Sequence, residues 1–242
     1  MNLVIDIGNT RIKIAVFDHT SLVHKDNFQT SVLLSKVKDL SEKFNISQVI
    51  LSHVAKIDHE ILNQLKGFFK VKILNHDTKL PFINNYTTPD TLGVDRLALV
   101  AGAVSQFPQE NVLVIDAGSC ITFDFVNSKS EYFGGSISPG IGMRYKAVNS
   151  FTANLPLLEK INELPEVGNS TVNAIHLGIL NGVIQEIQGV IQQYKDKNRK
   201  LTVVLTGGDT IFLAKNLKSS IFATPNFLLE GLNSILIHNI DE

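Results

Sequence analysis

Leu3-Val4-Ile5-Asp6-Ile7-Gly8 recurs 110 residues further on as Leu113-Val114-Ile115-Asp116-Ala117-Gly118. Between residues 3–16 and 113–126, six of fourteen positions are identical: Leu3, Val4, Ile5, Asp6, Gly8 and Val16. Apolar strands resemble one another readily. An Asp-x-Gly at the same point of each strand makes duplication the better explanation. Each copy reads as strand, tight turn, strand. Residues 3–7 form a short apolar run of the kind a buried strand needs. Gly8 and Asn9 tolerate positive φ, as a tight turn requires. Ile12, Ile14 and Val16 then alternate with Arg11, Lys13 and Ala15. The second copy rises over 112–116, turns at Gly118-Ser119 and returns over 121–126. A third strand follows in both copies, near 22–28 and 132–138.

After each triple of strands the hydrophobic period changes. Val32, Leu33, Val37, Leu40 and Phe44 fall at helical spacing, with Ser31 placed to cap. Residues 48–51 and 71–74 read as strands flanking a helix at 57–68. In the second half, Leu180, Val183, Ile184, Ile187, Ile191 and Tyr194 form a long helical stripe. A buried-type strand at 201–205 runs into Thr206-Gly207-Gly208, and helices follow near 210–218 and 226–238. Residues 81–89 are the most irregular stretch. The expectation is an α/β protein of two duplicated lobes, 1–110 and 111–242, with a cleft between them.

Composition narrows the class. Apolar residues make up 44% and charged residues 19%, which suffices for a sizeable core and argues against disorder. A formal net charge of −1 carries no electrostatic footprint for nucleic acid. The single cysteine, Cys120, excludes an internal disulfide framework and a cysteine zinc site; it is expected to pack as a small apolar residue. A reducing, cytoplasmic setting is expected. The start MNLVIDIGNT has no basic flank, so no signal peptide is expected. The longest charge-free run, 167–185, contains Asn169, Ser170, Thr171, Asn173, His176 and Asn181, and no membrane partner is expected. The seven histidines lack metal spacing, and His53 and His76 near strand ends suit structural roles. No G-x-x-x-x-G-K-[ST] loop is present.

Several turns could carry chemistry. In Asp6-Ile7-Gly8-Asn9-Thr10 with Lys13, a tight turn offers backbone N–H groups to a phosphate. The carboxylate can hold Mg²⁺ directly or through water, and Lys13 can reach phosphate oxygens from the next strand. A plain hairpin with a solvated Asp and Lys explains the same residues. Asp116-Ala117-Gly118-Ser119 repeats the pattern, so that the two turns could grip the ends of a polyphosphate. Thr206-Gly207-Gly208-Asp209 ends a strand, where glycines admit a ring or a phosphate, or simply ease the turn into a helix. Asp95, in Leu92-Gly93-Val94-Asp95-Arg96 after Tyr86, suits the helix dipole; it equally suits a base taking a hydroxyl proton beside a cation that holds an anion. Residues 134–142 hold Gly134, Gly135, Gly140 and Gly142, which mark a close approach to a ligand, a strand or a second subunit. Gly168-Asn169-Ser170-Thr171 opens the long helix, with Ser170 or Thr171 as a cap.

Three glycine turns in this order resemble the two phosphate loops and the adenosine loop of the actin, hexokinase and Hsp70 ATPases, whose lobes are ribonuclease-H-like. The ordered set from Asp6 to Gly208 resembles the type III pantothenate kinase family along nearly the whole chain. The resemblance implies that Asp6, Ile7, Gly8, Asn9, Thr10, Arg11, Ile12 and Lys13 form the ATP phosphate loop and that Ser119 also contacts ATP. It implies that Asp95 is the general base for the primary hydroxyl of pantothenate. Tyr86, Gly93, Val94, Asp95, Arg96 and Thr171 become the pantothenate contacts. Asp116 becomes the ligand of a monovalent cation, K⁺ or NH₄⁺, alongside Mg²⁺ with the ATP. A homodimer is implied, and the uncharged glycine-rich stretch suits a twofold contact. Ser119-Cys120 stands where Thr-Ala is more usual, and Asn169-Ser170-Thr171 where Asn-Thr is common; spacing favours Thr171 as the contact. Two alternatives share this fold: a regulatory or binding relative without catalysis, and another small-molecule kinase. Retained Asp6, Asp95, Arg96 and Asp116 argue against the first. The second would keep both phosphate turns but need not keep Tyr86 with 93–96.

Overall fold

The computed structural model describes residues 1–8, 11–53 and 59–240. Asn9 and Thr10 of the first turn, and the expected start of the second helix at 57–58, lie outside them. The chain forms two compact units. One comprises Met1–Gln109, Lys129–Phe133 and Asn226–Glu242, the other Glu110–Ser128 and Gly134–Pro225.

The first unit is built on β1 (Asn2–Ile7), β2 (Ile12–Asp18), β3 (Ser21–Phe28), β4 (Gln48–His53) and β5 (Val71–Ile73), in the order β3-β2-β1-β4-β5. β1 runs antiparallel to β2 and parallel to β4. One sheet face carries Leu3, Ile5, Ile12, Ile14, Val49 and Leu51, and packs on Leu33, Val37 and Leu40 of α1 (Leu33–Lys43) and Leu65 of α2 (His59–Phe68). Ile12 and Ile14 are wholly buried. Burial of each such side chain stabilises by about 1.5–3 kcal/mol. α3 (Val94–Gln106) packs on α7 (Phe227–His238), and α7 on β1 and β4. Gly231 of α7 lies so close under Ala98 of α3 that any side chain there would overlap the Ala98 carbonyl. α7 follows the second Asp-x-Gly strand in sequence yet belongs to the first unit, so the units do not follow a single cut near residue 110.

The second sheet repeats the plan. β7 (Val112–Ala117), β8 (Cys120–Val126), β9 (Glu131–Pro139), β10 (Thr202–Thr206) and β11 (Phe222–Ala223) take the order β11-β10-β7-β8-β9, the same connectivity as the first sheet read from the other end. β7 is antiparallel to β8 and parallel to β10. The two-residue β6 (Ile83–Asn84), inside the irregular stretch, pairs with the start of β9. The repeated strand order supports the duplication expected from the two Asp-x-Gly strands.

α4 (Ile141–Ser150), α5 (Thr171–Lys197) and α6 (Thr210–Asn216) complete the second unit. α5 begins where Ser170 Oγ accepts the Asn173 N–H at 3.2 Å, so the capping role falls to Ser170, with Thr171 the first helical residue. Ile175, Ile179, Leu180, Val183, Ile184, Ile187 and Ile191 enter the core against β7 and β10. β-Branched residues lower helix propensity by up to about 0.7 kcal/mol each. Burial of the same side chains outweighs that, so packing rather than propensity makes this helix. α5 is long and apolar enough, by length and composition, to cross a membrane. Here its apolar stripe lies in the core of the unit.

Candidate active site

Asp6 ends the buried stretch of β1 and is only 5% exposed. The β1–β2 register sets Lys13 directly across from it, and the parallel β1–β4 register sets Ser52 on its other side. Cross-strand partners point to one face, so these three side chains share a niche. Burial pushes the Asp6 carboxyl up to about pKa 6. Lys13 opposes that rise, the nearby Asp95 carboxylate adds to it, and Ser52 opposes it weakly. Ser52 Oγ is fully buried and falls short of hydrogen-bond geometry with any described residue, although its dipole still favours the charged carboxylate. Ile7 and Ile12 are buried in the core, so any part they take in the phosphate turn is through their backbone. The Gly8 N–H closes the turn by donating to the Arg11 carbonyl at 3.1 Å, which occupies one amide the sequence suggested for phosphate. Arg11 Nη1 donates to Asn27 Oδ1 at 3.1 Å.

The second cluster in this unit is the N-terminus of α3. Gly93 is its cap residue and Asp95 lies in its first turn. Asp95 Oδ1 accepts the Arg96 N–H at 2.9 Å, so the helix-terminus role is real. The same oxygen lies over the Gly93 Cα, where any added side chain would overlap it; Gly93 makes room for this carboxylate. His76 Nε2 meets the Leu92 carbonyl at 2.8 Å and steadies the approach to the helix, a structural histidine as expected. Arg96 is buried, 4% exposed, with its guanidinium 5.7 Å from the centre of the Tyr86 ring. Tyr86 stacks in turn on Tyr132, with ring centres 6.2 Å apart and planes 10° apart. The cation–π contact and the stack hold the Arg96 cation against an aromatic face, at the residue that follows Asp95. The structure thus brings Asp6, Lys13 and Asp95 into electrostatic contact, and Tyr86 into contact with Arg96.

In the second unit, the turn after β7 is one residue shorter: Ala117 pairs with Ile121, whereas Ile7 pairs with Ile12. Gly118 N–H donates to the Cys120 carbonyl at 2.9 Å. Asp116 has Thr122 across from it on β8 and Thr206 on β10. Thr122 Oγ1 is buried and unpartnered among the described residues, like Ser52 Oγ beside Asp6. Gly207 has φ +97°, and a side chain there would overlap Asp116 Oδ1 and the Ala117 carbonyl. That glycine is therefore needed by the protein's own turn, whereas nothing stands near the Cβ position of Gly208, which remains open to a ligand. Asp209 is tied to Lys160 in an ion pair. Ser119 is exposed, and its carbonyl accepts the Gly140 N–H at 3.2 Å. Thr171 is exposed at the start of α5.

Two expectations change. Cys120 is exposed rather than packed in the core, with Sγ 3.9 Å from Met143 Sδ. It opens β8 directly after the turn, and its neighbour Ile121 takes the inward position. In the glycine-rich stretch, Gly135 abuts the Phe123 backbone and Gly140 the Gly118 and Ser119 carbonyls. The close approach at those two positions is therefore to the unit's own strands. Reading the sequence missed Ser52, Thr122 and Tyr132. Only the strand registers set them beside Asp6, Asp116 and Tyr86.

Comparison with known proteins identifies the family and the fold. A protein from Christiangramia forsetii named as a type III pantothenate kinase is 48% identical over 240 residues, spanning 99% of each chain. Among solved structures, a Campylobacter jejuni protein described as a Baf family transcriptional activator superposes with TM-score 0.62 at 23% identity, covering 99% of this chain and 100% of that one. A ROK hexokinase from Thermus thermophilus gives TM-score 0.53 at 13% identity, covering 98% and 99%. At such identities these two show the fold alone, the α/β architecture of the actin-like ATPases. The family model for type III pantothenate kinase matches residues 2–193. The chain belongs to the type III pantothenate kinase family.

Proposed function

We infer that this chain transfers the γ-phosphoryl group of ATP to the primary hydroxyl of pantothenate. The product is 4′-phosphopantothenate, in the first step of coenzyme A biosynthesis. Family membership supports the activity. The observation that carries the mechanism is the Asp95 carboxylate at the α3 N-terminus, within electrostatic reach of Asp6 and next to an Arg96 held on Tyr86.

Phosphoryl transfer requires positioning and charge neutralisation more than covalent chemistry. Lys13 supplies a cation to the phosphate end. Asp95 accepts the proton from the attacking hydroxyl, a contribution of about 10²–10⁴ in rate. Arg96 binds the pantothenate carboxylate through two parallel N–H donors, with Tyr86, Gly93 and Val94 shaping the contact. From the second unit, Ser119 is assigned to ATP and Thr171 to pantothenate. Mg²⁺ suits the buried Asp6 carboxylate, which would hold it directly or through water. When bound, it neutralises phosphate charge. A hard monovalent ion, K⁺ or NH₄⁺, suits Asp116, with the unpartnered Thr122 hydroxyl as a second oxygen.

A homodimer in the cytoplasm completes the proposal, without nucleic acid or membrane partners. In the second unit β9 exposes Ile137 (62%) and α4 exposes Met143 (47%), apolar side chains that support a contact with a second copy. Mass spectrometry of a reaction containing only ATP, Mg²⁺, K⁺ and pantothenate tests the activity. The expected product is pantothenate plus one phosphate; ATP consumed without that product would refute the assignment.

A further inference from the structure

A wholly buried hydroxyl with no partner is uncommon, because burying it without a hydrogen bond costs about 1–3 kcal/mol. Among the described residues Ser52 is such a group, at 0% exposure, with no partner at full hydrogen-bond geometry. Its place is set by the parallel register of β1 and β4, which puts it alongside Asp6 on one face of the sheet. Asp6 is itself buried, and it feels the Ser52 hydroxyl as well as Lys13 and Asp95. In the first unit the niche therefore sets a buried hydroxyl donor alongside a buried carboxylate.

We propose that Ser52 is a positioning residue for the phosphate site: its hydroxyl closes onto the Asp6 carboxylate when a nucleotide and its dication occupy the adjoining turn, fixing the orientation of Asp6. Ser52 touches neither substrate. It acts through Asp6, and the idea rests on the assignment of residues 6–13 to ATP. A carboxylate that must stay ionised in a buried site gains most from a hydroxyl donor, since hydrogen bonds to charged groups are the strong ones. In the nucleotide-free protein the same hydroxyl contributes little, so its removal leaves the fold intact.

The test is Ser52→Ala, read by calorimetric binding of the Mg²⁺ complex of AMP-PNP, thermal unfolding without nucleotide, and steady-state kinetics. Binding of Mg·AMP-PNP should weaken about tenfold or more, the size of a lost charge-assisted hydrogen bond. Unfolding temperature should stay level or rise, and KM for pantothenate should stay within about twofold. Ser52→Cys, which keeps the shape but donates weakly, should also bind the nucleotide less tightly than wild type. Unchanged nucleotide affinity in both variants would overturn the proposal. So would a fall in unfolding temperature accompanied by equal losses for both substrates, which marks a purely structural serine. A wild-type chain that binds Mg·AMP-PNP but never phosphorylates pantothenate would instead refute the assigned activity and leave the Ser52 inference standing.

Discussion

Replacing Asp6 with Asn should make the protein more stable and less active. Asp6 is 5% exposed, and its carboxyl is pushed from 3.8 up to about 6 by burial, with Lys13 opposing and Asp95 adding. The native state thus holds this proton more tightly than the unfolded chain. As pH rises from 3.8, the unfolded chain ionises first, and native stability falls until the folded group has also ionised near pH 6. A shift of roughly 2 units corresponds to about 3 kcal/mol of destabilisation by the charged form at pH 7.5. An uncharged isostere removes that cost. For a chain of this size the gain is about 6–12 °C in unfolding temperature. At pH 4.5 the charged form costs only about 1 kcal/mol, so the gain should shrink to about 2–4 °C. The assay is paired thermal unfolding of wild type and Asp6→Asn at both pH values, without nucleotide or dication, together with ATP turnover. Stabilisation at the expense of activity is the pattern of a strained functional group. A variant that unfolds earlier at pH 7.5, or whose gain does not depend on pH, would refute the account of this niche.

Three further outcomes follow from the site. Asp95→Asn should lower kcat by about two orders of magnitude and leave ATP binding nearly unchanged, as expected of a lost general base; near-wild-type turnover would return Asp95 to a structural role at the helix start, where it accepts the Arg96 N–H. Arg96→Lys should raise KM for pantothenate about tenfold or more while KM for ATP stays put, since an ammonium cannot reproduce a two-pronged grip on a carboxylate. If ATP weakens instead, the two substrate ends have been assigned the wrong way round. Turnover should rise on replacing Na⁺ with K⁺ or NH₄⁺, and Asp116→Ala should remove that dependence along with most activity. Equal rates in Na⁺ and K⁺ would contradict the cation assignment.

Much of the fold was legible because its deciding strands are short, apolar and repeated. Residues 3–7 and 112–115 are buried on both faces and read as near-continuous hydrophobic runs. α4 was not legible: it opens directly after a glycine-rich stretch and shows no clear apolar stripe, burying only Ile141 and Tyr145. Nor could local pattern place α7 with the first unit, because its partners α3 and β1 lie more than a hundred residues earlier. The site followed the same division. Asp6, Asp95 and Arg96 became candidates through residue type and spacing, with their roles implied only by the family resemblance. Ser52 did not, since a serine next to last in an apolar strand carries no signal until the register sets it beside Asp6. The tie between Lys160 and Asp209 was likewise invisible at a separation of 49 residues.

The most direct measurement is ADP release by the purified chain with Mg²⁺ and K⁺, assayed against pantothenate and a panel of other hydroxyl acceptors that includes hexoses, glycerol and pantothenate analogues lacking the carboxylate. Pantothenate should be turned over well above every other acceptor, with the analogues lacking a carboxylate failing through loss of the Arg96 contact. Turnover of a sugar at a comparable or higher rate, or no ADP release above background with pantothenate, would contradict it.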